Sequence, residues 1–204
     1  MSTVRLNGGL LATGSRKEAI LDAARGEFAD NGYSGARIER IAAAAGANKQ
    51  LIFHYFGSKD GLYAAVAAST FVGAPDPQLI SAPTPTESLR RCVAEMASWL
   101  ARTSGAALLV SECVSGRPVP TEAELIVSGW LQKASSSIRA AIDDGQRKGY
   151  FRDDVDAQSI ATLIVGSSVG NALLARGRPG AGPEPPTRSA SLLAQVAVDL
   201  CAWR

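Results

Sequence analysis

The chain has 204 residues, of which 46% are hydrophobic and 20% charged. That is enough to bury a core without disulfide or metal staples, in one or two ordinary domains. A formal net charge of +2 argues neither for nor against nucleic acid, so the placement of charge has to decide.

Three cysteines, Cys92, Cys113 and Cys201, are odd in number and widely spaced. They form neither a disulfide framework nor a CxxC metal site, and they suit a reduced cytoplasm. The opening "MSTVRLNGGLLATGS" lacks the roughly 7–15-residue apolar core of a signal peptide. No apolar run is expected to approach the roughly 20 residues that span a bilayer. Cytoplasmic location without membrane contact is the expectation.

In chain order, residues 1–14 read as a glycine-rich, flexible tail. Arg5 in that tail either reaches DNA as an arm or belongs to a disordered end. Ser15-x-x-Glu18 reads as a capping box, opening a helix that buries Ile20, Leu21, Ala24 and Phe28 before Asn31-Gly32 stops it. Ile38, Ile41, Ala42 and Ala45 form a second stripe, halted at Gly46. Asn48 is the expected N-cap of a third short helix ending at Gly57, and Ser58 that of a fourth with Asp60 in its first turn. "GAPDPQLISAPTP" is a proline-rich connection.

Thr84-x-x-Glu87, with Pro85 at the first helical position, opens a helix through Leu89, Val93, Met96 and Leu100. "GAALLVSECVSGRP" is a shorter apolar helix. Thr121-x-x-Glu124 is expected to open a long one through Trp130 and Ile142 to about Lys148. "VDAQSIATLIVGSSVGNALLA" and "RSASLLAQVAVDLCAW" are the last two, joined by the irregular "RGRPGAGPEPP". No period-2 strand pattern survives beside these segments, so the fold class is all-α.

Residues 37–59 carry the clearest chemistry. Two short helices joined by "AAAGAN" meet the demands of a helix-turn-helix. Ala42 is small where the second helix crosses, and Gly46 stands where the turn needs a left-handed residue. Ile41, Ala45, Ala47, Ile52 and Tyr55 face the shared core. Lys49, Gln50, Phe53 and His54 then face outward, a surface that suits neither core nor water but fits a DNA groove. Lys49 has the chemistry to donate to guanine, Gln50 to pair with adenine, and Leu51 to touch a thymine methyl. Phe53, His54 and Tyr55 suit sugar and phosphate. Lys59 adds its charge to a helix dipole against one phosphate.

The stretch "ILDAARGEFADNGYSGARIERIAAAAGANKQLIFHYFGSKDGLYAAV" resembles the N-terminal pattern of the TetR family of bacterial transcriptional regulators over about fifty residues. The match rests on Phe28 and Gly32-Tyr33, on "IAAAAG", and on "HYFGSKDGL". "GQRKGYFRDDVDAQSIATLIVG" is similar to the family's junction between its seventh and eighth helices. Between roughly 75 and 140 only the helix pattern matches. The resemblance implies DNA contacts at Arg37, Lys49, Gln50, Leu51, Phe53, His54, Tyr55 and Lys59. One departure stands out. The family's second helix usually opens with threonine or serine, whereas Ala36-Arg37 stand here, so a hydroxyl cap is missing and Arg37 offers a longer reach to phosphate.

The resulting expectation is a three-helix helix-turn-helix DNA-binding domain at 15–61 and a helical ligand-binding and dimerisation domain at 62–204. The function expected is a ligand-responsive repressor on double-stranded operator DNA, released by a small hydrophobic or amphipathic effector. Met96, Trp99, Cys113 and Trp130 are candidate ligand walls, although the same residues also suit ordinary core. Cys113 has no basic neighbour in sequence to make it a redox sensor. Leu163, Gly166, Ser167, Gly170, Leu193, Val196, Ala197 and Leu200 are the candidate homodimer face, with small residues admitting a second helix. Asp153, Asp154 and Asp156 read as helix-capping carboxylates rather than a cation loop. No cofactor, metal or catalytic set is indicated. The competing reading is an all-α carrier or enzyme with a structural helix-turn-helix.

Overall fold

The computed structural model describes residues 13–76, 82–103, 105–176 and 186–202. The N-terminal tail through residue 12, including Arg5, and most of the "RGRPGAGPEPP" loop lie outside them. Among the described residues there are nine α-helices and no strand, as the hydrophobic periodicity requires. They are α1 (Thr13–Gly35), α2 (Ile38–Ala44), α3 (Lys49–Phe56), α4 (Lys59–Phe71), α5 (Pro85–Arg102), α6 (Ala106–Val114), α7 (Thr121–Arg147), α8 (Ala157–Arg176) and α9 (Pro186–Cys201).

Two helix starts differ from the sequence reading. α1 begins at Thr13, which puts Ser15 inside the first turn rather than ahead of it. α7 begins at Thr121, with Pro120 as the N-cap residue and no side-chain cap. The fixed φ of proline already delivers the extended entry that a hydroxyl cap would have stabilised. Other caps form as read, although Asp154, read as a capping carboxylate, pairs with Arg152 instead. Asn48 accepts from the Leu51 N–H at 2.8 Å, Ser58 from Gly61 at 3.0 Å and Thr84 from Glu87 at 3.2 Å. Asp156 accepts from the Ser159 N–H at 2.7 Å at the head of α8, and hydrogen bonding from the Ser159 side chain, with that from its backbone, holds the carboxyl below the usual range.

α4 ties the two halves together. Its Leu62, Tyr63, Val66 and Ala67 are buried in a core that runs without a break from Ile20 on α1 to Cys201 on α9. The 61/62 boundary therefore falls inside one helix, and α4 packs on both α1 and α7. At the α7–α8 turn, Gln146 Nε2 donates to the Arg152 and Val155 carbonyls, both at 2.9 Å. The buried Phe151 ring lies against Gly145, where a Cβ would collide with it.

α8 departs from one expectation. Its stretch Ala157–Ala175 is 19 residues long with mean hydropathy 1.3, long and apolar enough by those measures to cross a membrane. Glycine, serine and alanine interrupt its large side chains in the sequence, which is why no long apolar run stands out there. Only 39% of the stretch is buried in the protomer. α9 covers part of it and packs most extensively on α5.

Candidate nucleic-acid interface and effector cleft

The helix-turn-helix is built from α2 and α3. Ile41 and Ile52 are fully buried between them, and Ala45, Ala47, Leu51 and Tyr55 are packed partly against the same core. The Ala47 N–H reaches the Ala42 carbonyl at 2.9 Å, and Gly46 takes φ +59°, the left-handed conformation expected of the turn. α3 ends at Gly57, φ +73°, whose N–H donates to the Phe53 carbonyl at 2.8 Å.

The outward face of α3 carries Lys49, Gln50, Phe53 and His54, all exposed. Phe53 is 43% exposed, which leaves much of an aromatic face in water. Leu51 and Tyr55 are half-buried, each with one edge in the core. The His54 and Tyr55 rings meet edge to face at 5.5 Å. Lys49 is paired with Glu39 of α2, and that hydrogen bond holds the exposed Glu39 carboxyl below its ordinary range.

Arg37 is exposed at the N-cap of α2 and makes no side-chain cap bond, in line with the missing hydroxyl. Glu27 on α1 accepts from the Arg37 backbone N–H at 3.1 Å and lies 3.9 Å from Arg40. Lys59 is half-buried, with its Nζ donating to the Ala36 carbonyl at 2.8 Å and standing 4.9 Å over the Tyr33 ring. The eight expected DNA residues thus gather around α3 and the two helix starts beside it. Sequence reasoning missed Glu27 and Arg40.

On the far side of α4, a cleft of about 540 Å³ is lined by Ala68, Phe71, Val72, Ile126, Trp130 and Lys133, among others. Behind its wall, Phe71, Trp99 and Trp130 form an aromatic triangle with centroid separations of 5.1–5.4 Å. The Trp130 indole N–H is buried with no hydrogen-bond partner among the described residues. Of the four expected ligand residues, Trp130 lines the cleft and Trp99 stacks on it. Met96 is buried in the core, and Cys113 is half-buried on α6. Burial, with Glu124 and Glu112 nearby, pushes the Cys113 thiol up to about 11. A raised thiol leaves little of the reactive thiolate near neutral pH. Among the described residues no group of histidine, cysteine and carboxylate side chains could hold a metal ion.

The candidate dimer residues occupy one face of α8 and α9. Leu163, Val196 and Leu200 are exposed, and they line a groove of about 100 Å³ together with Ile164, Ser167, Leu193 and Ala197. Ala197 differs from its neighbours. It is buried by its own chain and forms only the groove floor. A Cβ built at Gly166 or Gly170 would meet nothing within 4 Å in the protomer.

Residues 20–66 match the family described as bacterial regulatory proteins, tetR family. The chain is 34% identical over 149 residues to the HTH-type transcriptional repressor SCO4008 of Streptomyces coelicolor, covering 73% of this chain and 74% of that protein. The chain belongs to the TetR family. It is 28% identical over 142 residues to the HTH-type transcriptional repressor NicS of Pseudomonas putida, covering 68% and 67% of the two chains. A bacterial regulatory protein of the tetR family from Rhodococcus RHA1 has the same fold, with TM-score 0.79 at 18% identity over 94% of this chain and all of that one. This TetR-family member is a DNA-binding transcriptional regulator and not an enzyme.

Proposed function

We propose that this TetR-family regulator is a cytoplasmic repressor that binds a palindromic operator as a homodimer. A small hydrophobic or amphipathic effector releases it. The observation that carries the reading is the outward face of α3, where Lys49, Gln50, Phe53 and His54 stay exposed on a helix capped and buried on its other side. Gln50 and Lys49 read base edges, Leu51 meets a thymine methyl, and Phe53, His54 and Tyr55 follow the sugar–phosphate wall. Arg37 and Lys59 hold phosphates at the two flanking helix starts. For Lys59 this means giving up its bond to the Ala36 carbonyl, and for Lys49 its pairing with Glu39.

Residues 15–61 serve the reading role and 62–204 sensing and dimerisation, with α4 shared. The apolar face of α8 and α9 pairs with its two-fold mate. Leu163 and Leu200 cover the groove and Gly166 and Gly170 admit the partner's helix, which gives the symmetry of a palindrome. The effector site is the cleft beside Trp130, whose volume falls in the range of small-molecule sites. Phe71, Val72, Ile126 and Trp130 suit an apolar body. Lys133 suits an acceptor or anionic group on it. An effector acts by binding the DNA-incompetent state better, since only a difference in affinity moves the equilibrium.

Selection of bound fragments from random duplex DNA with the purified protein tests the reading. The expected product is a palindrome with half-sites about 34–36 Å apart, or a multiple of that. Fragments without any shared sequence would overturn it.

A further inference from the structure

We propose that Glu112 of α6 is a positioning residue for DNA recognition. It bolts the reading head to the sensing half of the molecule and fixes the half-site spacing that the protein accepts. The inference rests on the operator-binding reading above.

Glu112 is the lone acid in an otherwise apolar helix segment, "AALLVSECV", and it is 5% exposed. Its Oε1 accepts from the Tyr33 backbone N–H at 3.0 Å, and its Oε2 accepts from the Tyr63 hydroxyl at 2.6 Å. The Tyr33 N–H is free to donate because Gly32, at φ +67°, ψ 178°, breaks α1 one residue earlier. A Cβ at Gly32 would collide with Glu112 Oε1. Positions 32, 63 and 112, on three different helices, are therefore matched to one carboxyl group.

From that carboxyl the contacts lead directly to the reading helix. The Tyr33 ring packs on Tyr63 at 5.0 Å, carries the Lys59 ammonium over its face and donates its hydroxyl to Asp60. Lys59 in turn reaches the Ala36 carbonyl, next to the start of α2. Lys59 and Asp60 open α4 just behind α3. One α6 side chain thus bears, through one tyrosine, on both junctions that set the pose of α3.

Stability alone does not explain the group. No lysine or arginine pairs with Glu112 among the described residues. A buried carboxyl with two donors gains less than a well-packed apolar side chain would. What it provides is a directional link between α6, α1 and α4. Any displacement of α6 passes through it to the reading head.

The test uses the full-length protein on its selected operator and on versions with one base pair added or removed at the centre. Wild type is expected to lose about tenfold or more in affinity on the altered spacings. Glu112→Ala should bind all three within about threefold. Glu112→Gln, whose amide oxygen still accepts from Tyr33, should stay close to wild type. Ile142→Ala, a core truncation in the second half of α7, should lower the melting temperature yet keep the wild-type preference. If Glu112→Ala does not fold, Tyr63→Phe carries the test, since it removes one hydroxyl, keeps the buried ring and should lose part of the discrimination. Full spacing preference in folded Glu112→Ala or in Tyr63→Phe, relaxed preference in Glu112→Gln, or an equal loss in Ile142→Ala overturns the assignment. Absence of any selected operator for wild type would instead sink the functional reading beneath it.

Discussion

Two glycines in the DNA-binding half make opposite predictions from the same substitution. Gly61 lies in the first turn of α4, where a Cβ would be 3.3 Å from the Phe56 carbonyl carbon and inside the 3.0 Å limit to its oxygen. That atom is backbone, at the last residue of α3, and cannot rotate away. Gly61→Ala must open the α3–α4 junction by roughly 1 Å, in a region packed to crystal-like density. Overpacking of this kind costs about 3 kcal/mol at the upper end, against a gain of about 1 kcal/mol from alanine's helix propensity. The net loss of about 2 kcal/mol corresponds to a fall of roughly 4–8 °C in melting temperature for a chain this size. Gly26, in the middle of α1, is exposed and a Cβ there meets nothing within 4 Å. Gly26→Ala keeps only the propensity gain, so melting should rise by roughly 2–4 °C. Differential scanning calorimetry of both variants, with operator binding measured at 20–30 °C below their transitions (about that margin avoids unfolded protein), checks the pair. Gly61→Ala should also weaken the operator complex, because the displaced element carries the reading face. A Gly61→Ala protein as stable as Gly26→Ala would refute the steric reasoning.

Gly166→Leu should leave the protomer folded, since its side chain points into open space, yet abolish the dimer and operator binding together. Sedimentation showing an intact dimer with normal DNA binding would remove α8 from the interface. Gln50→Ala should relax preference at one position of each half-site by about 1–3 kcal/mol, whereas equal losses on specific and random DNA would contradict a base contact. Glu39→Gln frees Lys49 from its ion pair, so affinity for the selected operator should rise by more than affinity for random duplexes. Equal gains on specific and random DNA would mean that Lys49 makes no base contact.

Much of this molecule is legible in sequence because local rules and global packing agree along it. Asn48, Gly57 and Ser58 each have one local job, and each does it as read. Apolar spacing places Ile41 and Ile52 in the core, and the residues left over on α3 are the exposed ones. The helix starts at Ser15 and Thr121 were misplaced for the opposite reason. A capping box is a local preference, and a helix can begin earlier or enter through a proline without it. Ala197 lies buried at the floor of the groove because α9 has apolar residues on two faces, and periodicity does not say which face meets α5 and which meets a partner.

Glu112 marks where the local reading ends. A single glutamate in "AALLVSECV" is a visible anomaly, but its partners lie 79 and 49 residues away on α1 and α4. The Gly32-Tyr33 pair reads locally as a helix stop, and so it is. The stop also exposes a backbone N–H to a carboxyl that no nearby residue foretells. Tyr33 joins both systems. Its hydroxyl bond to Asp60, with some burial, pushes its own ionisation up to about 12, so it remains a neutral donor across the physiological range. A residue legible as the end of one helix is therefore also the contact through which α6 meets the start of α4. The parts that read DNA follow from spacing, whereas the link that orients them exists only once three distant helices have packed.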